Sequence, residues 1–123
     1  MNELVQAIEK NDDETVKKLI QNGLNPNMPI NSKMWTGLHY AIKCSHENVV
    51  AALLFGGADI MLCTHHKRNC LHFAAQSSIS ILSLILIKHQ SLTAAKRSET
   101  INCQDIKGET PLHFAGKVFS KSI

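Results

Sequence analysis

The sequence has no long apolar run. Its most hydrophobic stretch, Ile79 to Ile87, spans nine residues with two serines inside it, whereas a membrane-spanning helix needs about 20 apolar residues. The stretch therefore predicts a core helix, and no membrane partner is expected. Nor does the chain open with a secretory signal pattern: Met1-Asn2-Glu3 leads directly into an amphipathic, acid-containing segment. The four cysteines, Cys44, Cys63, Cys70 and Cys103, are accordingly expected as reduced thiols in a cytoplasmic or nuclear compartment. There is no dense basic stripe. The formal charge is +3, with Glu9, Asp12, Asp13 and Glu14 crowded near the N-terminus and basic residues scattered through the middle and C-terminal third, so nucleic acid is not an expected partner. A glycine-rich phosphate loop, a G-x-S-x-G elbow and an H-E-x-x-H pair are all missing, which removes the enzyme classes those motifs announce. No enzyme activity and no cofactor are expected.

What the chain does have is a local crowd of soft ligands. Cys63-Thr64-His65-His66-Lys67-Arg68-Asn69-Cys70-Leu71-His72 packs two cysteines and three histidines into ten positions. Thiolate and imidazole are the usual zinc ligands, but the spacing here is C-x2-H-x3-C-x-H rather than paired knuckles. No metal is assigned. A site using Cys63, His65 or His66, and Cys70 is the strongest chemical alternative.

A repeat explains the same residues more simply. Leu-His-aromatic-Ala cores begin at Leu38, Leu71 and Leu112, spaced by 33 and then 41 residues, the second being one period plus 8. Thr36-Gly37-Leu38-His39, Asn69-Cys70-Leu71-His72 and Thr110-Pro111-Leu112-His113 head the three units, and Val49, Val50, Leu53, Leu54 and Gly57-Ala58-Asp59 continue the first of them. Gly23 and Asn27 close an earlier unit with Leu4, Ala7, Val16, Leu19 and Ile20 at its helical core positions. Over essentially its whole length the chain resembles the ankyrin-repeat family. That resemblance implies an all-α solenoid of stacked helix-turn-helix units joined by hairpin turns: a capping repeat over 1–27, repeats over 28–61 and 62–101, and a partial fourth over 102–123.

The repeat positions also make physical sense one by one. Thr36, Asn69 and Thr110 are good N-caps, and Pro111 suits the first helical position because its missing N–H is not needed there. Gly23 and Gly57 can take the left-handed conformation that ends a helix. By resemblance His39, His72 and His113 are structural, bonding neighbouring loop groups. Three departures stand out. Met34 and Lys67 replace the turn glycine, predicting strained or remodelled hairpins. Ser91 to Glu99 is an insertion at the turn that should close the third repeat, expected as a tolerated surface loop. Asn27 to Lys33 carries one further residue that should reshape the first hairpin.

A stacked array presents hairpin tips and first helices on one concave side, and the resemblance implies that this side binds another protein. Candidate contact residues are Lys33, Met34 and Trp35 from the second repeat, His65, His66, Lys67 and Arg68 from the third, and Lys107 from the fourth, with Tyr40 and Phe73 on the first helices. The basic tips point to an acidic partner surface. Trp35, the only tryptophan, is either an interface anchor or a cover for the long first turn. Tyr40, Phe73 and Phe114 either pack between repeats or form a contact stripe. At the C-terminal end the first helix of repeat four has room over Pro111 to about Val118, while the first core position of a second helix falls on Ile123, so self-association through an open end is expected. The alternative functions are a regulatory or metal-binding domain attached to an enzyme beyond residue 123, and a bacterial or viral protein acting on host proteins in the host cytoplasm.

Overall fold

Several of the short helices begin where the sequence supplies a cap. The Asp12 carboxylate accepts from the Thr15 N–H at 3.2 Å, Asn69 Oδ1 from the His72 N–H at 3.1 Å, Ser78 Oγ from the Ile81 N–H at 3.3 Å and Thr93 Oγ1 from the Lys96 N–H at 3.3 Å. These side chains satisfy donors that the first helical turn leaves open. The computed structural model describes the backbone of residues 2–122 and the side chains of 3–116. Within that span run α1 (Asn2–Glu9), α2 (Asp13–Gln21), α3 (Gly37–Lys43), α4 (Glu47–Phe55), α5 (Cys70–Ala74), α6 (Ile79–Gln90), α7 (Ala94–Ile101) and α8 (Pro111–Ser122). The only β pairing among the described residues is an isolated bridge between Pro29 and Thr36.

The helices stack as antiparallel pairs, α1 with α2, α3 with α4 and α5 with α6, each pair also packing on the next. The all-α solenoid expected from the repeat is therefore the architecture observed. Leu4, Ala7, Ile8 and Val16 bury against Leu38, Ala41, Ile42, Val49, Val50 and Leu53, which in turn meet Leu71, Ala74, Ile81 and Ile85 in one continuous core. Pair spacing is tight: a Cβ added to Gly56 would lie 2.6 Å from Ile20 Cδ1. Gly23 and Gly57 take φ values of 104° and 97° after α2 and α4, as a helix-ending turn requires.

Hairpins link the pairs and stack on one another. Asn31, Thr64 and Asp105 open the three turns, each side chain accepting from backbone N–H groups of its own loop. The tips are joined in series: the His65 N–H donates to Lys33 O at 2.7 Å, and the Ile106 N–H to His66 O at 3.0 Å. Met34 and Lys67 are held left-handed, both at φ 62°, where the third hairpin has Gly108 at 78°. The strain expected at those positions is thus present, and the tips keep the glycine-type turn despite it.

Two expectations need correction. The segment expected as a surface loop at Ser91 to Glu99 is instead mostly helix, α7, because Thr93 caps a run of good helix formers, Ala94-Ala95-Lys96-Arg97. It is fastened by Arg97 Nη1 to Leu92 O at 3.0 Å, by His89 Nε2 to Arg97 O at 3.2 Å and by Asn69 Nδ2 to Thr100 O at 2.9 Å. Helix α8 runs past Val118 to Ser122, since no glycine or proline follows Gly116 to break it. Leu112, at the motif position of the buried Leu38 and Leu71, is 77% exposed, with no neighbouring helix pair on its far side among the described residues. The expected position of a second-helix core residue, Ile123, lies outside the described residues. Elsewhere on the open side Ile85 is buried and Leu82 half-buried, but Leu86 and Ile87 are exposed.

Leu53 is fully buried between α2, α3 and α6 neighbours, and Leu53→Ala should cost about 2–5 kcal/mol in denaturant unfolding. Leu112→Ala should change the same measurement by less than about 0.5 kcal/mol.

Candidate protein-binding groove

The motif histidines build the frame on which the candidate surface hangs. His39 Nδ1 accepts from the Thr36 N–H at 2.9 Å, which leaves the proton on Nε2 to be donated to Leu62 O, 3.0 Å away in the next loop. His72 repeats the arrangement, accepting from the Asn69 N–H at 3.1 Å and donating to Glu109 O at 2.9 Å. His113 makes the local half of it, with the Thr110 N–H 3.0 Å from Nδ1. The structural role expected for His39 and His72 is therefore visible as a bond from each repeat to its successor. Burial pushes the His39 ring down to about 4, outweighing the bond to Leu62 O, and burial likewise lowers His72.

The residue after each histidine faces the previous repeat. The Phe73 ring lies 5.0 Å from His39, and Phe114 lies 5.1 Å from His72 in a T-shaped contact. Tyr40 has no such histidine before it and comes near Glu9 and Cys44 instead. The aromatic series thus packs between repeats, with Phe73 and Tyr40 half-buried and Phe114 buried.

Trp35 reaches beyond its own repeat. Its ring packs edge-on against Phe73 at 4.9 Å, reaching from the second repeat to the third. Together Trp35, Phe73, Phe114, Arg68, Lys43 and Gln76 line a pocket of about 140 Å³, completed by Ile42, Ser45 and Ser77. Arg68, expected at an exposed tip, is tied down. Its guanidinium lies 5.1 Å over Phe114, and its Nε lies 3.2 Å from Oδ2 of Asp105, whose side chain is fully buried. Burial alone would raise the Asp105 carboxyl, but the Glu109 N–H, Arg68 and the Lys107 N–H outweigh it and hold the carboxyl below its usual range. Arg68 therefore serves both the groove wall and the join to repeat four.

Of the ten candidate contact residues, three (Trp35, Arg68 and Phe73) meet in this pocket. Lys33, Met34, His65, Lys67 and Lys107 are exposed along the line of tips, and His66 is half-buried beside His65, the two rings 6.0 Å apart. Tyr40 stands apart, against the first repeat. Sequence reasoning missed Lys43 and Gln76. Both lie four residues after a motif histidine, a spacing that carries them to the mouth of the groove.

The metal reading finds a different geometry. Cys70 is fully buried and Cys63 exposed, while both His72 nitrogens are bonded to backbone groups. Among the described residues no group of three or more His, Cys, Asp or Glu is arranged to hold a metal ion. Nor is any described helix long and apolar enough to cross a membrane.

Comparison with known proteins agrees with this geometry. The family model for ankyrin repeats (3 copies) matches residues 4–96. The chain belongs to the ankyrin-repeat family. Similar ankyrin-repeat relatives include the 2-5A-dependent ribonuclease of Homo sapiens, 36% identical over 66 residues that make up 54% of this chain and 8% of that protein. The Nuclear factor NF-kappa-B p105 subunit of Gallus gallus is 31% identical over 105 residues, 81% of this chain and 10% of that protein. The chain thus spans a tenth or less of the length of these relatives. Ankyrin repeats are generally protein-interaction modules and generally non-catalytic.

Burial of the motif histidines His39 and His72 makes this ankyrin stack sensitive to acid. His39 is neutral in the folded chain down to about pH 4 but takes up a proton near 6.5 when unfolded. Between those values the unfolded state binds more protons, so stability is complete above about pH 6.5 and should fall by roughly 1–3 kcal/mol on going to pH 4. Urea unfolding across that range checks it, and His39→Gln should flatten the slope.

Proposed function

We propose that the chain binds another protein without catalysis, taking an acidic segment along its hairpin tips and seating one apolar side chain between Trp35, Phe73 and Phe114. The observation that carries this reading is the pocket itself, a cleft with aromatic walls and a cationic rim crossing three repeats. Lys33, Lys67 and Lys107 are exposed on the tips beside it, and Lys43 stands at its edge. The nearest buried carboxylate, Asp105, is already paired with Arg68. An aromatic cleft ringed by cations favours a partner with an apolar anchor and flanking carboxylates. Part of the same proposal is a reducing compartment, cytoplasmic, nuclear or that of a host cell, supported by the four unpaired cysteines.

A second reading, self-association through the open end, is supported by exposed Leu112 and Ile106. Apolar side chains at the end of a solenoid favour a covering surface, and mass measured against concentration tests it.

For the main reading, the single tryptophan is a built-in probe. Titrating a partner into the chain should change Trp35 emission, and affinity should drop as salt rises. Lys43→Glu combined with Lys67→Glu, both at exposed positions, should weaken binding by about 1–2 kcal/mol while leaving the melting temperature in place. Unaltered emission on saturation with unchanged affinity in the double variant would put the interface on the outer helices.

A further inference from the structure

Cys63 lies on the segment entering the second hairpin, and Cys103 lies on the segment entering the third. The fold brings them together across forty positions of sequence. Both sulfurs line one pocket of about 200 Å³ with Met61, Asn69, Glu99 and Thr100. Cys103 Sγ lies 3.6 Å from Lys67 O, reaching out of its own repeat into the third, and Cys63 Sγ lies 3.6 Å from Met61 O. The bond from Asn69 Nδ2 to Thr100 O, 2.9 Å, fixes the backbone three residues before Cys103 against the same repeat. Cys63 is exposed and Cys103 half-buried, so a small reagent can reach them, whereas Cys70 is enclosed in the core.

We propose that Cys63 and Cys103 form a redox-responsive pair that closes to a disulfide and staples α7 and the third hairpin to the third repeat. The oxidant class is a small-molecule disulfide such as oxidised glutathione. Cys103 gives up its proton to solvent and its thiolate attacks one glutathione sulfur, expelling one glutathione thiolate. Cys63, deprotonated in turn, attacks the Cys103 sulfur of the mixed disulfide and expels the second. Two protein thiols are oxidised and one glutathione disulfide is reduced to two thiols. The order follows from the neighbourhood: burial first, then the adjacent Cys103 sulfur, pushes the Cys63 thiol up to about 11. Turning Cys103 into a neutral mixed disulfide removes that second influence and frees Cys63 to act.

The full chain, kept native, is incubated with oxidised glutathione and then analysed by intact mass and non-reducing peptide mapping. The expected product has lost two hydrogens, joins the Cys63 and Cys103 peptides and keeps Cys44 and Cys70 as thiols. Its melting temperature should rise by several degrees and return on reduction. Cys63→Ser should stop at one glutathione on Cys103, and Cys103→Ser should gain no intramolecular bond. Wild-type protein that keeps both thiols, halts at stable mixed disulfides or joins other cysteines overturns the pairing. A disulfide that leaves the melting temperature unmoved overturns the staple.

Discussion

Everything in this chain depends on a histidine doing two jobs at once. Its Nδ1 accepts the N–H of the residue that starts its own helix, and its Nε2 donates to a carbonyl in the following loop, as His39 does to Leu62 and His72 to Glu109. Only the neutral ring with the proton on Nε2 can do both. Repeat spacing, hairpin position and the lie of the next aromatic all follow from that pair of bonds. Phe73 and Phe114 come within stacking distance of the preceding histidine because the histidine has been fixed first. Trp35 then has a surface to lean on, and a groove exists where otherwise there would be loose loops.

The second constraint is the continuity of the tips. Backbone bonds from His65 to Lys33 and from Ile106 to His66 carry the array from hairpin to hairpin. This explains why Met34 and Lys67 are tolerated with left-handed backbone. The cost of a non-glycine residue there is set against bonds that need the turn in that shape.

Much of this was legible in the residues. The Leu-His-aromatic spacing fixed the helix pairs, the caps fixed their starts, and Gly23 and Gly57 fixed two of their ends. The groove was legible only in part. Trp35 and Phe73 stood out as aromatics, but the inward turn of Arg68 depends on Asp105, 37 positions away, and no local pattern announces that pairing. Ser91 to Glu99 was misleading because an insertion measured against a repeat looks like surplus chain, although its own composition, Thr93 followed by Ala94-Ala95-Lys96-Arg97, is that of a capped helix. The exposure of Leu112 was not legible either. It shares the motif position of the buried Leu38 and Leu71, yet what buries such a leucine is a neighbouring repeat, which is not a local property. The nearness of Cys63 to Cys103 was hidden in the same way, since it exists only once α7 has taken up the extra length of chain.

The place of Arg68 bears on how the molecule comes apart. In a linear stack each unit opens with a free energy set by its contacts to one neighbour. The fourth unit is joined to the third by links that include Arg68 to Asp105, His72 to Glu109 and the Phe114 ring between Arg68 and His72. Two of those groups, Arg68 and Phe114, form one wall of the groove. Opening of the fourth unit and loss of the groove are therefore coupled: whatever sits against Phe114 and Arg68 clamps that unit, and whatever loosens it dismantles the seat.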